Sequence, residues 1–174
     1  ADWAIVGDRA SFKDFTSEQG SSTAVLLGGA AHYQDGDVSN VFSYTGDLSF
    51  ESGGFNAFGA GVGRNMEDTA GLRFDDYGIT AQAGYRLTSK FEVFGRYDHI
   101  IPDSGRGLHE DYGFVTAGVN YYIAGHAAKF TTDVVYSIND TAGLGSLGGF
   151  SNSGLLGSKD EGEIALRVQL QLLF

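Results

Sequence analysis

Apolar and polar side chains alternate one for one along most of this chain. The clearest run is 163–174, EIALRVQLQLLF. It sets Ile164, Leu166, Val168, Leu170, Leu172 and Phe174 on one side, and Glu163, Ala165, Arg167, Gln169 and Gln171 on the other, with Leu173 the exception. A period of two marks a β-strand whose two faces meet different surroundings. The same rule holds over 42–51, 78–86, 91–98, 113–123 and 126–138, and more weakly over 23–33. The segment 55–63 is rich in small residues, so hydropathy does not assign its faces. Eight strands are predicted, and 1–10 reads as the end of a preceding strand, with Trp3 and Ile5 on one face.

The apolar faces carry residues such as Phe42, Leu48, Ile79, Val93, Val115 and Val134. The opposite faces carry charge on nearly every strand: Asp47, Arg86, Glu92, Arg96, Asp98, Lys129, Asp133 and Arg167. Two architectures fit this alternation. A soluble ligand-binding barrel turns its apolar face inward around a greasy cavity. A membrane barrel turns that face to lipid and lines its lumen with the polar one. Three features favour the membrane. The strands run about ten residues, the length a tilted spanning strand needs. Aromatic residues gather near strand ends (Tyr33, Phe42, Phe91, Tyr97, Tyr121, Tyr136, Phe174), as interfacial girdles do. Connections alternate between short turns at 52–54, 88–90 and 124–125 and longer ones at 34–41, 64–76, 99–111 and 139–160. The expected fold class is therefore all-β, an antiparallel transmembrane β-barrel of the outer-membrane type, with 1–174 forming one domain.

Composition agrees. The chain has 27 Gly, one Pro and no Cys, which suits tightly bent strands and rules out disulfides and thiolate metal sites. No apolar run reaches the roughly 18 residues of a membrane helix, and a mean hydropathy of -0.11 is compatible with alternating strands. A net charge of -11 argues against nucleic acid, whose phosphates call for clustered Lys and Arg. Acidic residues crowd the expected loops, where solvation explains them. The run Asp35 to Asn40 lacks the distal Glu of a calcium loop. His32, His99, His109 and His126 have no metal-ligand spacing. Gly59 to Gly63 lacks the context of a nucleotide loop, and Gly149 to Ser153 misses the nucleophile-elbow pattern at its last position. No catalytic residue, metal or cofactor is expected.

Four stretches together resemble the phosphate-selective porin O and P family. They are Phe12-Lys13-Asp14-Phe15-Thr16-Ser17 with Gly20; Leu27-Gly28-Gly29-Ala30-Ala31-His32-Tyr33; Gly118-Val119-Asn120-Tyr121-Tyr122-Ile123-Ala124-Gly125-His126 with Lys129; and Leu166-Arg167-Val168-Gln169-Leu170-Gln171. The resemblance implies a sixteen-stranded barrel, usually a homotrimer, that passes anions or general solutes. Eight strands match its C-terminal half, so the chain is expected to be half of a larger porin. It would face outer-membrane lipid and lipopolysaccharide in the bacterial outer membrane. The alternative is a closed eight-stranded barrel with a structural or adhesive role, its interior filled by side chains. The expected pore lining is Arg86, Arg96, Lys129, Arg167, Asp47, Glu92, Asp98 and Asp133. Phosphate selectivity requires convergent cations. This mixed lining points instead to passive diffusion of small polar or ionic solutes, or to charges that pair across strands.

Overall fold

A computed structural model describes residues 1–12, 16–108, 111–144 and 161–173. The terminal Phe174, most of the expected 139–160 loop, His109, Glu110 and the Lys13-Asp14-Phe15 part of the first motif lie outside the described residues. Nine strands follow one another: β1 (Asp2–Val6), β2 (Ala24–Gln34), β3 (Ser39–Ser52), β4 (Phe55–Asp68), β5 (Arg73–Arg86), β6 (Phe91–Ile101), β7 (Tyr112–Tyr122), β8 (Ala128–Ser137) and β9 (Ile164–Leu172). They form one sheet in chain order, each antiparallel to the next. Among the described residues there is no α-helix, only short 3-10 helices at Arg9–Phe12 and Ser104–Arg106.

Every predicted strand is present. The stretch read as a strand end is β1, where a bulge between Ala4 and Val6 breaks the alternation of Trp3 and Ile5. Two connections expected to be long are short. β3, β4 and β5 each run 14 residues, leaving only 35–38 and 69–72 as loops. Polar residues read as loop are strand instead, because their side chains pair across the ladder. Asn65 donates to Asp75, and Arg64 and Arg73 bond Asp76 and Glu67, all register partners. The Asp68 carboxylate then closes the turn by accepting from the amides of Ala70 and Leu72, each at 2.9 Å. At the other end β3 and β4 join through Gly53 and Gly54, whose φ of 56° and 97° suit a two-residue hairpin only glycine enters without strain.

Register partners share a face, so the pairing shows how the two faces run across the sheet. One row reads Trp3, Leu27, Leu48, Gly59, Ala81, Tyr97, Val115, Tyr136, Ile164 from β1 to β9. A row on the other face reads Glu51, Asn56, Gly84, Phe94, Gly118, Asp133, Arg167. The register also settles β4, with Phe55, Ala57, Gly59, Gly61 and Gly63 on the apolar face and Asn56, Phe58, Ala60, Val62 and Arg64 on the polar face.

The apolar face is the exposed one. Leu166 is 69% and Ile79 52% exposed, whereas Glu92 and Thr116 on the polar face are 1% exposed. Connections folding back over the polar face cover part of it. At the loop end, Leu108 and Leu144 pack on Tyr112, Phe114 and Val135. Among the described residues β1 pairs only with β2 and β9 only with β8, so the sheet has two free edges.

Polar-face packing relies on glycines opposite large side chains. A Cβ at Gly118 would lie 2.6 Å from both the Phe94 ring and Asp133 Cβ, while one at Gly46 on the apolar face would meet nothing within 4 Å. Gly118→Ala is expected to destabilise by about 1–3 kcal/mol through overpacking. Gly46→Ala is expected to be neutral or to stabilise by about 0.5–1 kcal/mol, since it removes a flexible residue from a strand interior. Denaturant unfolding of both variants checks this; equal midpoints would contradict the packing.

Candidate pore lining

All eight expected lining residues fall on the polar face; seven of them lie in two groups, and a third group contains none of them. The first surrounds Glu92. Its Oε1 accepts from Asn56 Nδ2 at 2.8 Å, and its Oε2 accepts from Asn120 Nδ2 at 2.9 Å and from the Tyr122 hydroxyl. A carboxylate this buried needs such donors, since desolvating an unpaired charge costs several kcal/mol. Arg86 stands beside it, 4.4 Å above the Tyr122 ring, donating to Ser89 O at 2.8 Å and Glu18 Oε1 at 3.2 Å. Lys129 Nζ lies 5.9 Å from the same ring.

The second group consists of two arginine–aspartate pairs, one on β6 and one across β8 and β9. Arg96 Nε donates to Asp98 Oδ2 at 2.7 Å, and Thr80 donates to Asp98 Oδ1 at 2.8 Å. Arg167 Nε donates to Asp133 Oδ1 at 2.7 Å between register partners. Asp47 stands apart from these pairs, its carboxylate lying over Gly28.

The third group escaped the sequence reading. Asp76 accepts from Arg64 Nε and a terminal nitrogen (3.1 and 2.7 Å), from Arg106 Nε and a terminal nitrogen (2.6 and 2.7 Å), and from the Asp103 amide (3.2 Å). Arg106 also sits 4.6 Å over the Phe74 ring. Asp103 caps the Ser104–Arg106 turn through Gly105 N and accepts from Asp75 N. Together these contacts fasten the β6–β7 connection onto the polar face of β5. A cavity of about 470 Å³ opens beside them, with His32, Ser43, Thr45, Arg64 and Asp76 among its lining residues. Continuing the alternation of β4 by twos from Asn56 reaches Arg64, the signal that would have found it. No periodicity points to Arg106.

The other histidines play local roles. His99 stacks on Tyr97 with centroids 5.9 Å apart and pairs with Asp111 at 3.3 Å; His126 meets the Tyr122 ring edge-on. No family model, curated protein or solved structure matches this chain.

Removing the Asp76 carboxylate breaks its bonds to Arg64 and Arg106 and loosens the loop that Arg106 anchors. Asp76→Ala is expected to speed tryptic cleavage after Arg106 by about ten-fold or more, since a charge-assisted tether is worth roughly 1.5–3 kcal/mol. Mass mapping of limited digests reads the cut; an unchanged rate would count against the tether.

Proposed function

We propose that this chain forms part of the wall of an outer-membrane porin, the C-terminal half of a sixteen-stranded barrel, passing small polar or ionic solutes by passive diffusion. The observation that carries the reading is the inverted burial. Leucine, valine, isoleucine, phenylalanine or tyrosine side chains stand exposed on the apolar face of every strand from β2 to β9, with Phe55 filling that place on the small-residue β4. Glutamate, aspartate and arginine are buried on the opposite face, where Val62 is an exposed exception. An apolar surface this continuous is untenable in water and suited to lipid. The aromatic rows support it. Tyr77 and Tyr85 stand eight residues apart on the apolar face of β5, about 26 Å along the strand at roughly 3.3 Å per residue, or about 20 Å of height at a barrel strand's tilt, comparable with a barrel's apolar band. Tyr33 and Phe42 pair at one end of the strands, and the Phe91 and Tyr121 rings meet at a tilt, 4.8 Å apart, at the other.

The free edges at β1 and β9 support a half-barrel, completed by further strands of the same protein. Closure as an eight-stranded barrel would require β2 to pair with β9, but β2 already carries β1 on that edge. The lining favours a general pore over a phosphate-specific one, because Arg64, Arg96, Arg106 and Arg167 are each bonded to an aspartate.

The test is single-channel recording of the full polypeptide in a planar bilayer. Discrete current steps are expected, and a preparation with none would refute the pore. Asp47→Asn removes a lining carboxylate outside the ion pairs. It should move the reversal potential in a salt gradient toward anions by a measurable few millivolts, as expected of lining charge. An unmoved potential would place Asp47 away from the passage.

A further inference from the structure

The connection between β1 and β2 leaves the sheet at the end where the other links are only 53–54, 87–90 and 123–127. Its described segment 16–21 does not run outside that end. It crosses the polar face. Gln19 Nε2 donates to the carbonyls of Arg86 and Leu87 at 3.1 and 3.0 Å, at the far end of β5. The Gly53 amide donates to Ser21 O at 3.1 Å, and the Gly54 amide to Ser17 Oγ at 3.2 Å. Ser17 is 1% exposed and shares a 2.7 Å hydrogen bond with Ser21. The segment therefore reaches from β2 past β3 and β4 to β5, about 14 Å at roughly 4.8 Å per strand. Its anchors are backbone groups at two turns, which would otherwise bond water. This fixes its path independently of hydropathy.

The crossing segment presents one charged side chain outward from the wall. Glu18 Oε1 meets Arg86 Nη1 at 3.2 Å, with the Arg86 side chain 4% and the Glu18 side chain 78% exposed. The arginine is sealed beneath the segment, and the carboxylate stands on its open side.

We propose that residues 16–21 form a fixed constriction at the tight-turn mouth of the pore, with Glu18 its selectivity-determining charge. This rests on the porin reading above. A second layer of chain narrows that mouth by about the width of one strand. On this reading a permeating ion passes the exposed Glu18 side chain. Its single 3.2 Å contact to the buried Arg86 compensates it less than the two-arginine grip on the buried Asp76, so it still disfavours anions and favours cations.

These 174 residues hold no Cys, so Glu18→Cys in the full polypeptide, with any Cys elsewhere replaced by Ser, gives a single reporter. Coupling an anionic methanethiosulfonate reagent to it is expected to cut the unitary current by roughly two-fold or more, as bulk at a constriction does. Gly46→Cys on the apolar face should show no change. Labelling of the Glu18→Cys thiol, confirmed by mass, with an unaltered current would overturn the constriction. Should Glu18→Cys fail to insert, Glu18→Gln keeps the shape and loses the charge. A reversal potential displaced toward anions then supports the proposal, and an undisplaced one overturns it. Wild-type protein without current overturns the porin reading and this inference together, whereas wild-type current that ignores position 18 overturns the inference alone.

Discussion

The structure depends on one constraint: nine strands paired in a register that keeps like faces together. Each ladder satisfies backbone groups whatever the side chains are, so pairing alone would tolerate a slip. A slip by one residue would move Leu48 and Tyr97 to the face of Asp47 and Asp98, and it would do so against both neighbours at once. Burying Leu48 among carboxylates, or exposing Asp98 on the apolar face, is opposed by hydrophobic and desolvation terms of the same sign. Side chains opposite glycine sharpen the choice. The Tyr44 ring lies across Gly63 and the Phe94 ring across Gly118, contacts a shifted strand would lose.

That register determines the chemistry of the polar face. Most charges brought together on it are compensated locally, Asp47 excepted. Glu92 takes three neutral donors, Asp133 takes one arginine, and Asp76 takes two. Compensation has two consequences. It turns much of a formally charged lining into closed pairs, which present dipoles instead of net charge to anything moving along the face. It also recruits connections, because Arg106 and Gln19 lie outside the strands and reach in to bond groups on β5.

The sequence made the strands legible and the connections largely illegible. Period two located eight strands and named the polar-face charges, since alternation is a property of each strand alone. β4 resisted assignment because Gly59, Gly61 and Gly63 give its apolar face no hydrophobic sign. Only the partners Leu48, Gly46 and Tyr44 reveal which side it is. The extensions of β3 to β5 were read as loops because Arg64, Glu67, Asp75 and Asp76 look solvated in isolation. Their pairing across strands is a long-range fact. Arg106 and residues 16–21 leave no periodic trace, for their anchors are single carboxylates and backbone carbonyls far along the chain.

What lies over the polar face bears on the size of barrel this sheet would close into under the proposed reading. An eight-stranded barrel has an interior just wide enough for side chains. Here the face holds large side chains such as Phe58, Phe94, Tyr112 and Tyr122 as well as segments of backbone: residues 16–21 at one end, and the Ser104–Arg106 turn with Thr141 and Leu144 at the other. Backbone layered on side chains needs a wider circumference than eight strands enclose. The two free edges supply the means, since an unpaired ladder flanked by exposed Trp3 on β1 and Leu166 on β9 is an aggregation hazard until another strand covers it. Under the porin reading proposed above, width and edges point the same way, toward further strands joining β1 and β9.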